Sequence, residues 1–167
     1  MLAIYQTPEQ QVLPILLDAL AKAERSIDLL MYGFDHPDLC AALCAAAHRG
    51  VQVRGIFDHL QSCNRHQLLC LHRLMLGIGA GAVRIGTSPQ HRIMHRKTCL
   101  IDGAIVLTGS YNRTVPAQRE SNDLVVIGDG AIAAQVQVEF NSLWQWITVN
   151  EPAYSQLLEK TTWTSPT

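Results

Sequence analysis

The residues with the clearest chemical potential lie between positions 95 and 112. His95 and Lys97 are two positions apart in a segment that favours a strand, and alternate residues of a strand project to the same face. The imidazole and the ammonium are therefore expected to stand side by side, with Arg96 pointing away. A neutral imidazole can attack phosphorus, and an ammonium can neutralise the non-bridging oxygens of a phosphate. The pair predicts a site for phosphate chemistry.

Polar groups suited to an oxyanion follow at the end of the next predicted strand. Gly109 permits close approach of the backbone to an oxyanion. The Ser110 hydroxyl and the Asn112 amide can donate hydrogen bonds to phosphate oxygens. Because these groups could stabilise the charge without a metal, we predict no cofactor and no metal site.

The spacing of these residues is that of a known pattern, HxKxxxxDxxxxxxGSxN, with Asp102 in its acidic position. This pattern resembles the signature of the phospholipase D superfamily. Segments 23–27 and 47–58 are also similar to the amino-terminal half of that family's domain, so the resemblance extends over residues 9–147. It implies that His95 is the nucleophile or the acid, that Lys97 binds phosphate, and that Ser110 and Asn112 complete the oxyanion site. Asp102 belongs to the same motif, but its expected role is structural.

The resemblance also implies an acid downstream of the motif that orients the histidine. Glu120 is the predicted residue, with Asp123 as its substitute. The segment Arg119–Asp123 departs from the spacing usual in the family, so both carboxylates remain candidates.

A single copy of the motif has a consequence for assembly. In the superfamily two histidines meet at one phosphate: one attacks, and the other protonates the leaving oxygen and then activates water. This chain is similar to the small single-motif branch, which includes a bacterial endonuclease and a mitochondrial piRNA-pathway nuclease that act as homodimers. A twofold axis brings a residue near its own copy, so we predict a homodimer.

The distribution of charge favours a polyanionic substrate. The net charge of the chain is −1, yet residues 84–119 contain six basic residues and one acid. A local positive field attracts an anion, and Arg92, Arg96 and Arg113 are predicted to bind substrate. The favoured function is a metal-independent endonuclease acting on DNA or RNA. Because the superfamily also includes lipases, a lipid phosphodiesterase is the alternative, and a non-catalytic nucleic-acid-binding dimer is a third possibility.

The sequence also bears on location. The 167 residues contain no run of eighteen apolar residues and no basic, apolar leader at the start. Five cysteines cannot all pair within one chain, and a domain of this size does not need disulfides. We therefore predict a cytoplasmic protein without stable membrane association.

Hydrophobic periodicity predicts one α/β domain. The resemblance and the strand–helix–strand order of residues 26–57 predict a mixed, mostly parallel sheet flanked by helices on both faces. Thr7 and Pro8 are expected to cap and begin the first helix, and Asp102-Gly103 is expected to form a hairpin turn. The predicted catalytic domain covers residues 1–147, and residues 148–167 form a C-terminal extension. The predicted strands are 3–6, 26–32, 51–57, 82–85, 96–101, 104–108 and 124–127.

Overall fold

A computed structural model describes residues 1–160 of the chain. All seven predicted strands overlap observed ones, and two short helices, α3 and α6, were not predicted. The strands are β1 (Leu2–Thr7), β2 (Ser26–Met31), β3 (Gln52–Asp58), β4 (Val83–Gly86), β5 (Lys97–Ile101), β6 (Ile105–Gly109) and β7 (Asn122–Gly128). The helices are α1 (Val12–Ala21), α2 (Pro37–His48), α3 (His59–Ser62), α4 (Arg65–Ile78), α5 (Gly130–Asn150) and α6 (Pro152–Lys160).

One seven-stranded sheet with the order β1-β7-β6-β5-β2-β3-β4 organises the molecule. The prediction of a mixed α/β fold is confirmed, but the prediction that the sheet is mostly parallel is wrong. Only the β2–β3 and β3–β4 pairs are parallel, and the other four pairs are antiparallel. For β5 and β6 the reason is that only residues 102–104 connect them, which is too short for a parallel crossover.

Helices cover both faces of the sheet, as predicted. Alternate residues of β2 point to opposite sides, so that Leu29 faces the core beneath α1, α2 and α4, whereas Leu30 faces α5. The first core is the larger one and includes Leu43 and Phe57. In the second core Phe140 of α5 packs near Leu30.

The first helix begins later than predicted. Thr7 does not cap it, because Thr7 is the last residue of β1 and donates its hydroxyl to the Glu120 carbonyl at 2.7 Å. A turn closed by Gln10 follows, in which the Gln10 side-chain oxygen accepts from the Gln6 N–H at 2.7 Å. Helix α1 then starts at Val12.

The Asp102-Gly103 turn between β5 and β6 is confirmed. Both residues have positive φ angles, 54° and 63°, as hairpin turns of this type require. The Asp102 carboxylate accepts hydrogen bonds from the N–H groups of Arg25 (2.7 Å) and Ser26 (2.9 Å) at the start of β2. Asp102 thus joins the hairpin to the neighbouring strand.

The C-terminal part of the described chain packs on the sheet. Helix α5 continues through position 147, the predicted end of the catalytic domain. The buried Glu151 then accepts from the N–H and the hydroxyl of Thr87 at 2.7 and 2.6 Å, and the Ser155 hydroxyl accepts from the Ile85 N–H on β4. The division at 147 stays a prediction, and residues 161–167 lie outside the described residues. None of the described helices is long and apolar enough to cross a bilayer.

We expect Asp102→Ala to lower the free energy of unfolding by about 1–2 kcal/mol, because backbone N–H groups at the start of β2 lose their acceptor. Burial opposes ionisation of Asp102, but the N–H groups of Ser26, Arg25 and Glu24 and the charge of Arg25 keep its pKa below the usual value. A lowered pKa stabilises the fold above the pKa of the unfolded chain, and this stabilisation is lost as the pH falls through the folded-state pKa.

Urea denaturation at neutral and acid pH measures the effect. The difference between wild type and Asp102→Ala should shrink in acid. Asp102→Asn tolerates the positive φ angle and is the matched control, which should lose less stability than the alanine variant. Equal unfolding free energies for wild type and Asp102→Ala at neutral pH would show that the carboxylate does not hold this hairpin.

Candidate active site

Five strand ends meet at one edge of the sheet. Strands β2, β3 and β6 end there, and β5 and β7 begin there. Met31 is paired with both Lys97 and Phe57, so Tyr32 and Asp58 extend the same edge. The hydroxyls of Thr98 and Thr108 are 3.0 Å apart, and this register continues to Lys97 and Gly109. The motif residues before β5 and after β6 are therefore brought together by strand pairing.

Tyr32 lies between His95 and Lys97. Its ring centroid is 4.4 Å from that of His95 in an edge-to-face arrangement, and the Lys97 ammonium lies 4.5 Å from the same centroid. His95 precedes β5 rather than lying within it, because the strand begins at Lys97. The expected pairing of the two side chains is nevertheless found, since both contact one ring. His95 is exposed, and Lys97 is only 6% exposed.

The Lys97 ammonium is held by few but specific partners. It donates to the His95 carbonyl at 2.9 Å and faces the Tyr32 ring, an arrangement that favours a cation. Burial lowers the pKa of Lys97, and the negative charge of Asp58 opposes this shift. Asp58 therefore helps to keep the ammonium charged.

Asp58 also positions the segment that carries His95. Its carboxylate is 1% exposed and accepts from the Met94 N–H at 2.8 Å and from the Gln61 N–H at 3.0 Å. Gln61 in turn donates its side-chain amide to the Tyr32 hydroxyl at 2.9 Å. Asp58, Gln61 and Tyr32 thus form a connected support for the two motif side chains.

Tyr32 and Asp58 were missed from the sequence, although a signal was present. Both are polar residues at the carboxyl ends of buried, parallel strands: Tyr32 follows β2, and Asp58 is the last residue of β3. Side chains at the carboxyl ends of such strands commonly form ligand sites. The motif spacing covers residues 95–112 only and carries no information on these two positions.

Ser110 and Asn112 keep donors available. The Ser110 oxygen accepts from the Asp123 N–H at 2.9 Å, which leaves its proton for another acceptor. The Asn112 side-chain oxygen accepts from the Gly33 N–H at 3.2 Å, which fixes the amide and leaves its NH₂ group on the other side. Both residues lie where the register places the end of β6, beside Lys97.

Gly109 is required for a reason that the sequence did not predict. Its φ angle is 138°, and a Cβ atom there would lie 2.2 Å from the Asp123 carbonyl oxygen. The glycine therefore permits close approach of β7, and its approach to an oxyanion stays a prediction.

Two predicted site residues lie elsewhere. Asp102 is at the far end of β5 from Lys97, about 17 Å away along the strand, so it cannot contact a phosphate held by Lys97. The guanidinium of Arg113 is in the core and 3% exposed, so it cannot reach a substrate on the surface. Asp102 thus takes the expected structural role, and Arg113 as a substrate ligand is a wrong prediction.

Of the remaining predicted residues, Arg92, Arg96 and Glu120 are exposed and Asp123 is half-buried. Arg92 and Arg96 flank His95 in the sequence, and Arg96 forms an ion pair with Glu139 at 3.0 Å.

The carboxylates expected to orient His95 have other partners. Within residues 1–160, the Glu120 carboxylate accepts from Asn122 and the Asp123 carboxylate accepts from Gln6, and neither accepts from His95. An orienting role for Glu120 or Asp123 stays a prediction, and Tyr32 is the side chain that packs on His95.

A groove of ≈ 490 Å³ adjoins His95, between the segment 88–96 and α5. Its lining combines the charged pair Arg96 and Glu139 with apolar side chains, which include Ile93, Leu143 and Trp146. The groove can accommodate a group attached to a phosphate at His95.

Comparison with known proteins identifies the family of the chain. Residues 16–144 match the family model described as "Cardiolipin synthase, PLD-like domain". Mitochondrial cardiolipin hydrolase of Xenopus tropicalis is 33% identical over 132 residues, which are 78% of this chain and 60% of that protein. Phospholipase D of Rickettsia bellii is 31% identical and is matched over 76% of this chain and 61% of its own length. The chain thus spans about three fifths of these curated relatives.

Solved structures are similar over nearly their whole length. Nuc from Salmonella typhimurium, a phospholipase D family member, superposes with a TM-score of 0.79 and 27% identity over 87% of this chain and 94% of its own. NucT from Helicobacter pylori gives a TM-score of 0.74 at 22% identity over 87% and 96% of the two chains, a likeness of fold. The motif, the sheet edge and the family match together lead to one conclusion: the chain belongs to the phospholipase D-like family.

Proposed function

We propose that the protein is a metal-independent endonuclease that cleaves DNA or RNA through a covalent phosphohistidine at His95 in a homodimeric active site. The observation that carries the proposal is the contact of one tyrosine ring with both an exposed imidazole and a buried ammonium. Such a pair combines a nucleophile with a fixed positive charge for the phosphate. Ser110 and Asn112 add neutral donors at the same edge.

The reaction has two displacements. A nitrogen of the neutral His95 imidazole attacks phosphorus, the P–N bond forms, and the P–O bond to the leaving group breaks. His95 of the partner subunit, protonated at the start, gives its proton to the leaving oxygen. The now neutral partner imidazole then takes a proton from water, which attacks phosphorus and releases His95. Lys97, Ser110 and Asn112 contact the non-bridging oxygens throughout.

The protein's own groups supply the charge that the transition state needs. Among residues 1–160, no three His, Cys, Asp or Glu side chains converge to hold a metal ion. Lys97 and the two neutral donors would meet the phosphate oxygens in its place. The reaction needs both an attacking and a proton-donating imidazole. Because the chain has one copy of the motif, a homodimer would supply the second His95.

Charge and exposure favour nucleic acid as the substrate. Arg92 and Arg96 are exposed on the segment that carries His95. They would contact a polyanionic backbone that extends from the scissile phosphate, and such contacts do not depend on the base sequence. The five cysteines are free, which suits the predicted cytoplasmic location.

A lipid phosphodiesterase is the second candidate. The curated relatives are named cardiolipin hydrolase and phospholipase D, and Ile93, Leu143 and Trp146 give the groove beside His95 an apolar wall. The acyl chains of a lipid would pack against that wall, whereas a nucleic acid would bind to the arginines.

The first test offers the purified protein single- and double-stranded DNA, RNA, and vesicles of phosphatidylcholine or cardiolipin, all in EDTA. We expect cleavage of nucleic acid that EDTA does not reduce. His95→Ala should lose at least about a thousandfold in kcat, while His48→Ala, at an exposed position on α2, should retain activity.

The outcomes separate the candidates. Hydrolysis of the lipid in vesicles without cleavage of nucleic acid would show that the protein is a lipid phosphodiesterase and not a nuclease. Activity that EDTA removes and magnesium restores would contradict the metal-independent mechanism. Unchanged turnover in His95→Ala would show that His95 is not the nucleophile.

The second test concerns Asp58. Burial lowers the pKa of Lys97 and Asp58 raises it, so Asp58→Asn should lower the pKa of Lys97 further. The ammonium is then lost at a lower pH, and the alkaline limb of the kcat/KM profile should move to lower pH. Asp102→Asn removes an acid at the far end of β5, the strand that begins with Lys97. This control variant should leave the alkaline limb in place. A limb that stays fixed in Asp58→Asn would show that Asp58 does not act on Lys97.

A further inference from the structure

Three of the five cysteines lie together where helices α2 and α4 pack. Cys40 and Cys44 are one turn apart on α2, and Cys70 is on α4. The Cys40 thiol donates to the Cys70 carbonyl at 3.5 Å, and the Cys40 side chain also interacts with the side chains of Cys70 and Cys44. Within residues 1–160 the three thiols do not converge as ligands of a metal ion. Their proximity therefore favours chemistry between sulfur atoms.

The two helices approach each other closely beside these cysteines. A Cβ atom on Gly77 of α4 would lie 2.3 Å from the Cys44 sulfur, so a larger residue there would displace Cys44. Gly77 follows Cys70 by seven residues, which places both on the same face of α4. A disulfide requires two Cα atoms within about 7 Å of each other. Helices that pack through a glycine and short cysteine side chains can meet this requirement.

A groove gives small molecules access to the thiols. Its volume is ≈ 790 Å³, and its lining includes Cys40, Cys44 and Cys70 together with the charged side chain of Arg73. Cys40 and Cys70 are each 5% exposed, and Cys44 is half-buried. Because the three cysteines line the groove, a reagent as small as hydrogen peroxide can reach them.

The surroundings of Cys40 favour its thiolate, which is the reactive form of cysteine. A hydrogen bond from the Cys70 thiol lowers the pKa of Cys40, and burial opposes this shift. A hydrogen bond from Cys44 and the positive charge of Arg73 add to the lowering. The hydrogen bond to Cys40 and burial raise the pKa of Cys70. The two thiols therefore differ: Cys40 is suited to attack, and Cys70 remains protonated beside it.

We propose that Cys40 and Cys70 form a reversible disulfide in the presence of hydrogen peroxide, and that this bond fastens α4 to α2. The Cys40 thiolate attacks one peroxide oxygen, the O–O bond breaks, and a proton converts the departing hydroxide to water. Cys40 is then a sulfenic acid. The Cys70 sulfur attacks the Cys40 sulfur, the S–S bond forms, the S–O bond breaks, and the Cys70 proton leaves with the hydroxide as a second water. Two thiols are oxidised and one peroxide is reduced.

The disulfide acts on a helix that supports the active-site edge. The Gln67 side chain of α4 accepts from the Phe34 N–H at 2.8 Å and donates to the Tyr32 carbonyl at 3.3 Å. A bond between Cys40 and Cys70 links positions that are 30 residues apart, and such a link restricts the unfolded chain. The disulfide does not rest on the proposed nuclease activity, because neither His95 nor Lys97 takes part in it.

Peptide mapping of the full chain after treatment with hydrogen peroxide tests the proposal. Trypsin should release Cys40 and Cys44 in one peptide and Cys70 in another, and we expect a link between these peptides that dithiothreitol breaks. The thiols that can be titrated in denatured protein should fall from five to three. The oxidised protein should unfold about 5–10 °C above the reduced protein.

Single variants identify the linked sulfur atoms. Cys44→Ser should keep the link, and so should Cys63→Ser, the control at an exposed cysteine outside the groove. Cys70→Ser should lose the link and leave Cys40 as a sulfenic acid that dimedone traps.

Four outcomes would overturn the proposal: a link that persists in Cys40→Ser, a link to Cys44 or Cys63 in its place, sulfinic acid without a link, or an unchanged Tm when the link has formed. Fragmentation of the linked wild-type peptides locates the bond even if a variant does not fold.

Discussion

The active site depends on keeping one ammonium charged where water scarcely reaches it. Lys97 is almost fully buried, and burial alone would favour its neutral form. Three contacts oppose this: the face of the Tyr32 ring, the His95 carbonyl and the nearby charge of Asp58. Because the same tyrosine also packs on the His95 ring, the charge and the imidazole are fixed by one side chain.

The mixed sheet serves this arrangement. Parallel strands β2 and β3 place Tyr32 and Asp58 at their carboxyl ends, and antiparallel β5 begins with Lys97 at the same edge. A fully parallel sheet would start β5 at the opposite edge and separate Lys97 from the tyrosine. The Asp102 turn returns the chain into β6, which ends at Gly109 opposite Lys97, and Ser110 follows. Asp102 thus contributes to the site through the register it sets and not through contact with the phosphate.

Much of the site could be predicted because its residues follow a fixed spacing. Hydrophobic periodicity located all seven strands, and the Asp102-Gly103 turn follows from local backbone preferences. What could not be predicted depends on contacts between distant segments. Tyr32 and Asp58 precede His95 in sequence by dozens of residues, and strand order alone brings them together.

The errors have the same origin. Arg113 is of a residue type that commonly binds phosphate, but residue type does not show whether a side chain points to solvent or into the core. Thr7 and Pro8 are typical of the start of a helix, yet the hydroxyl of Thr7 donates a hydrogen bond to the Glu120 carbonyl. In both positions tertiary contacts override a local preference.

In the proposed mechanism His95 attacks phosphorus in a site that two chains share. Rapid quenching in alkali during turnover of an end-labelled oligonucleotide, followed by mass spectrometry of proteolytic peptides, measures it most directly. We expect an adduct on His95 in no more than about half of the chains, since one imidazole attacks while its copy donates a proton. An adduct on another residue, or on His95 in every chain, would contradict it.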